Sequence, residues 1–184
     1  MFSSYVENPK NCHFEGQDAD EKIILLLRSH PITNLTWIIP ALLLFFLPVV
    51  FPKVVAILGL SLPIIPSSFA TGFLLINYLL VLVVTLEGFL YWYFNVNIMT
   101  DRKIIDIDFN SVLFKNVDLA LIKDVQEAQS SVGGFLGMIF NFGNVFVQTA
   151  GANVTIDFKN IPHPTKVADL IMDQVHKAGG HNVG

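Results

Sequence analysis

Side chains able to do chemistry are few in this sequence and poorly spaced for it. Asp106 and Asp108 stand two apart on a segment that alternates apolar and polar residues, which places two carboxylates on one strand face. Paired carboxylates serve general acid–base work, but the alternation of Ile105, Ile107 and Phe109 with Asp106, Asp108 and Asn110 accounts for them as a solvated face. His30, His163, His176 and His181 are scattered, and the last two fall in a Gly-rich tail, so no metal-ligand spacing emerges. Gly134 and Gly137 lack both the Gly-x-Gly-x-x-Gly spacing and the Lys-Ser/Thr ending of a phosphate loop. Cys12 is the single cysteine and cannot close an internal disulfide. The sequence therefore predicts no catalytic residues, metal or cofactor, no small-molecule substrate, and a chain that is not an enzyme.

Binding chemistry is better represented. Phe135, Leu136, Met138, Ile139 and Phe142 lie in a stretch, Ala128 to Ile156, that contains no charged residue, and Phe135, Met138, Ile139 and Phe142 fit one face of a short helix. Such a surface either dips into a bilayer interface or meets a partner, or else caps an open end of the fold. Arg28, Arg102, Lys103 and Lys115 are the candidate contacts to lipid headgroups. From Asn95 onward seven Lys/Arg face nine Asp/Glu, a balance without the basic footprint that nucleic acid requires.

The elements that carry these residues follow from composition. Hydrophobic residues make up 53% of the 184 and charged ones 14%, too apolar for an ordinary soluble fold, and the excess is concentrated. Residues 35–94 contain only Lys53 and Glu87 as charges. Within them, 35–60 and 69–94 are each long enough to cross the roughly 30 Å of bilayer hydrocarbon, with a Pro-containing turn at 61–68. Pro40, Pro48 and Pro52 predict that the first span is bent or ends near Phe51. Lys53 lies toward the turn and Glu87 toward the opposite surface, so an intramembrane pair is not expected. Lys22 and Arg28 precede the hairpin, and Arg102, Lys103 and Lys115 follow it, while the turn has no cation. Both termini are therefore expected in the cytoplasm, with the chain multi-pass in the cell membrane. Trp37, Tyr91, Trp92 and Tyr93 are the expected interface anchors.

From residue 95 to about 178 the period changes to two. Strands are predicted at Val96 to Thr100, around Ile105 to Phe109, at Val117 to Leu119, Asp124 to Gln129, Val145 to Thr149 and Val154 to Lys159, with turns at 101–103, 110–111 and 151–153. Val167, Leu170, Ile171 and Val175 then recur at helical spacing. Residues 1–20 read as a polar tail, 179–184 as a flexible one, and 21–34 as a juxtamembrane segment that is either an extra strand or a short helix.

The segments Asn97 to Asp108 (NIMTDRKIIDID), Leu119 to Val125 (LALIKDV), Phe135 to Val147 (FLGMIFNFGNVFV), Thr149 to Gly151 (TAG) and Ile161 to Pro164 (IPHP) resemble the bacterial pleckstrin-homology (PH) domain family typified by YdbS. Glu21 to Pro31 (EKIILLLRSHP) resembles that family's segment ahead of its first membrane helix. The resemblance implies a membrane-anchored, mainly β (α+β) PH-like domain: an antiparallel half barrel of about six or seven strands closed by a C-terminal helix. It implies no catalytic residues. The function it leaves open is a tethered interaction or scaffold module that recruits a protein or a second copy of itself, a lipid-headgroup sensor, or a subunit of a membrane enzyme or transporter.

Overall fold

The computed structural model of the chain describes residues 3–9, 12–60, 66–111, 114–150 and 155–180. It divides into a helical unit, Asn34–Leu90, and a second unit formed by residues up to Thr33 together with those from Tyr91 onward.

The helical unit consists of α1 (Leu35–Ile57) and most of α2 (Ser67–Phe94). At 1.5 Å per residue these run about 34 and 42 Å, enough to cross a membrane. Only 11% and 6% of their most apolar windows are buried, whereas the core helix of a soluble protein would be mostly covered. Of the two expectations for the first span, the ending near Phe51 does not occur: α1 continues through Pro40, Pro48 and Pro52 to Ile57. Each proline costs a local backbone bond, and apolar continuity of the helix outweighs it. The helices run antiparallel, with Trp37 against Gly88, where an added Cβ would overlap the indole, and Phe45 edge-on to Tyr78 at 5.6 Å. This pairing sets Lys53 about sixteen residues, or about 24 Å, from the level of Glu87. The expected turn centre lies outside the described residues.

The second unit is built from two antiparallel sheets. Strands β1 (Tyr5–Glu7), β2 (Ile23–Leu27), β3 (Val96–Thr100), β4 (Lys103–Ser111) and β5 (Phe114–Leu121) pair in that order. Strands β6 (Val125–Ser131), β7 (Phe142–Thr149) and β8 (Thr155–Pro162) form the other sheet, and the two do not close into a barrel. The sheets enclose Leu25, Leu27, Met99, Ile104, Val145, Val147, Ile156 and Phe158, and α4 (Pro164–Gly180) covers this core with Val167 and Ile171. The expected half barrel and its terminal helix are thus present.

Within 21–34, Ile23–Leu27 forms strand β2, with Leu27 opposite Asn97, and Pro31–Asn34 forms a single 3-10 turn. The helical hairpin is therefore an insertion between two neighbouring antiparallel strands. The polar tail also contributes: β1 pairs with β2 through Tyr5 and Leu27. Further along, Phe14 packs against a smaller cluster of Ile23, Ile98 and Ile105 on the outer side of the five-stranded sheet. The turn expected at 151–153 lies outside the described residues.

Three expectations about faces need correction. Asp106 is not solvated; it is 6% exposed, on the same strand face as the fully buried Ile104. Val117 and Leu119, whose alternation with Asn116 and Asp118 predicts a buried apolar face, are 49% and 51% exposed. Asp106 faces the inner side of the sheet with Ile104, while on the outer side the Phe14 cluster reaches Ile105 on β4 but no described side chain of β5, which leaves Val117 and Leu119 bare. Phe142 belongs to β7 rather than to a short helix, because Asn141 adopts a left-handed φ of 51° that ends the helix before it.

Candidate functional site

The short helix α3 (Gly134–Phe140) joins β6 to β7 and stands clear of the core. Phe135 and Met138 are 73% and 69% exposed, and Leu136, Ile139 and Phe140 are also exposed. The helix therefore does not plug an open end; the C-terminal helix α4 covers the core instead. Large apolar side chains grouped this way make α3 a candidate contact surface. Behind α3, the Phe142 ring stacks on His30 with centroids 5.3 Å apart, and Phe140 lies 6.3 Å from the same imidazole. Burial, and then the nearby His163, push the His30 pKa down, which favours the neutral ring against these aromatics.

His30 immediately precedes Pro31, where the first apolar span begins. The chain on either side of the hairpin is tied to the domain. Arg28 Nε donates to the Tyr93 carbonyl at 3.2 Å, and its guanidinium lies 5.3 Å from the centre of the Tyr93 ring. Trp92 Nε1 donates to the Ser29 carbonyl at 2.8 Å, and the His30 amide donates to the Asn160 carbonyl at 2.7 Å. Among the four expected interface anchors, Trp92 is buried in the domain and Tyr91 is exposed. Trp37 is held in the helical unit by its bond to Asn34 Oδ1 at 3.1 Å.

The candidate headgroup cations do not form one cluster. Lys103 opens β4, while Lys115 sits opposite Phe109 at its other end, about 20 Å away at 3.3 Å per residue. Lys103 is engaged: its Nζ lies 3.1 Å from both Asp18 and Glu21. Glu21 is buried and also accepts from Thr100 Oγ1 at 2.6 Å and from the Asp18 amide at 3.1 Å. Burial alone would raise the Glu21 pKa, but these hydrogen bonds outweigh it and hold the carboxylate below its usual range. Arg102 is half exposed, 3.7 Å from Asp18. These groups lash the N-terminal segment to the sheet.

A second polar group was missed in the sequence. Asn97, Asp106 and Asp118 are direct cross-strand neighbours, and Asp108 pairs with Lys159 at 3.2 Å. Burial pushes the Asp106 pKa up to about 7, helped by the carboxylates of Asp108, Asp118 and Asp157 and opposed by Lys159. Asn97 Oδ1 and Asp157 Oδ1 are buried without a hydrogen-bond partner among the described residues. Among the described residues no group of three or more His, Cys, Asp or Glu side chains converges to hold a metal ion.

The remaining surface is a sheet edge. β5 is the last strand of its sheet, without a ladder partner on its outer side among the described residues, and residues 115–119 are all exposed. An eight-residue edge of this kind can accept another strand.

No curated protein and no solved structure matches the chain. A family model described as Bacterial PH domain matches residues 36–175, from the first apolar helix through most of α4. Paired helices, two open antiparallel sheets and a covering C-terminal helix agree with that match, and the chain belongs to the Bacterial PH domain family.

Proposed function

We propose that the chain is a non-enzymatic interaction module of the YdbS-like kind, anchored by α1 and α2 in the cell membrane with both termini in the cytoplasm. It recruits an extended segment of a protein partner, or of a second copy, onto the β5 edge. The β5 edge, unpaired among the described residues, carries this reading. A docking strand would gain main-chain hydrogen bonds along β5 and side-chain contacts with Val117 and Leu119, which are half exposed on one face. The engagement of Arg102 and Lys103 by Asp18 and Glu21, and the distance of Lys115 from them, support this over headgroup sensing, because anionic headgroup sites need converging free cations.

The test is a photoreactive residue at Val117 in native membranes, with exposed Asp173 on helix α4 as the control position. A covalent adduct at 117 and not at 173 is expected, and its mass distinguishes a second copy from another protein. Equal or absent adducts at the two positions would remove the support for a docking edge.

A further inference from the structure

We propose that α3 is a third membrane contact, lying in the interfacial layer of the same bilayer that holds α1 and α2. The inference rests on the membrane-anchored reading above. Its occupant is lipid because of where α3 is fixed. Phe140 and Phe142 pack on His30, one residue before the first apolar span starts at Pro31, so the domain holds the helix beside the point where the chain enters the hydrocarbon. The chemistry agrees. Phe135, Leu136, Met138 and Ile139 are exposed, and no charge occurs from Ala128 through Ile156 to penalise immersion. A contact of this composition depends on apolar area and not on anionic headgroups, unlike a polybasic one.

The full chain, with Cys12→Ser, is spin-labelled through Met138→Cys and placed at one copy per nanodisc in phosphatidylcholine. The accessibility of the label to dissolved oxygen and to a water-soluble nickel chelate is then read. Leu43→Cys on α1 is the immersed control and Glu127→Cys on β6 the aqueous one. The expected result is chelate access at 138 well below that at 127 and above that at 43, as an interfacial depth requires, unchanged when phosphatidylglycerol is added or salt is raised. If 43 is immersed but 138 behaves like 127, the inference falls and the anchoring reading stands. If 43 is itself aqueous, both fall. Shielding of 138 only when several chains share a disc assigns the surface to a second copy and overturns the proposal, as does shielding only in anionic lipid.

Discussion

Asp106 makes the domain's stability depend on pH in a direction opposite to that of most carboxylates. Its pKa is about 7 in the fold, against 3.8 for the free side chain, chiefly because burial disfavours the anion. The folded state therefore binds a proton more tightly than the unfolded one. The contribution is complete below pH 4 and is lost as pH rises to 7. A shift of this size corresponds to about 4 kcal/mol over that interval, at about 1.4 kcal/mol per unit. Asp106→Asn keeps the shape and cannot ionise, so its stability should lack this slope. In detergent-solubilised full-length protein carrying Trp37→Phe, urea unfolding followed by Trp92 fluorescence gives the stability of the domain at each pH. The difference between Asp106→Asn and its parent should swing by about 4 kcal/mol between pH 4 and pH 8, in favour of the variant at high pH. Comparing the swing removes whatever the amide gains or loses against the neutral acid. Parallel curves across that range would refute the assignment of a buried, proton-binding carboxyl to position 106.

Glu21 should show the reverse. Its lowered pKa means that its contribution is present above about pH 4.5 and fades as acid protonates it in the fold, and Glu21→Ala should cost about 3 kcal/mol at pH 6 by urea unfolding, since Lys103 and Thr100 lose a buried partner. Cys12 is exposed and is the only thiol, so an impermeant maleimide should label it only after membranes are opened, and labelling of intact cells would reverse the proposed topology.

The parts of this fold that were legible in the sequence are those whose signal is long or self-contained. Two charge-poor runs of about twenty-five residues predict two long apolar helices, and α1 and α2 are those helices, while the alternation through Ile156 and Phe158 marked a strand whose apolar face is fully buried. Alternation tells that a strand has two unlike faces; it does not tell which face meets the core when both are covered. On β4 the face with Ile105 is covered by Phe14 from a distant segment, so Asp106 occupies the side that a soluble, two-layer reading assigns to solvent. The three-residue β1 is too short to carry any period. Glu21 and Lys103, 82 residues apart, are joined only by the tertiary fold. The exposure of α3 is equally invisible, because an apolar face reads the same whether it enters a core or a membrane.

The placement of the hairpin between β2 and β3 bears on how such a chain can fold. Closing a flexible loop of this length, from Leu27 to Val96, costs about 4 kcal/mol in chain entropy before a single β2–β3 hydrogen bond forms. A helical hairpin already inserted in a bilayer removes most of that cost, because its two ends emerge on one side and close together. Packed helices lie about 8–10 Å apart whereas paired strands lie about 5 Å apart, so the chain must converge between the two. Residues 28–30 and 91–95 are where it does so, and the bonds from Arg28 to Tyr93 and from Trp92 to Ser29 hold that convergence. On the anchored reading, insertion comes before completion of the five-stranded sheet. The buried indole of Trp92 then serves to fix the register in which β2 and β3 meet, rather than to anchor the chain in lipid.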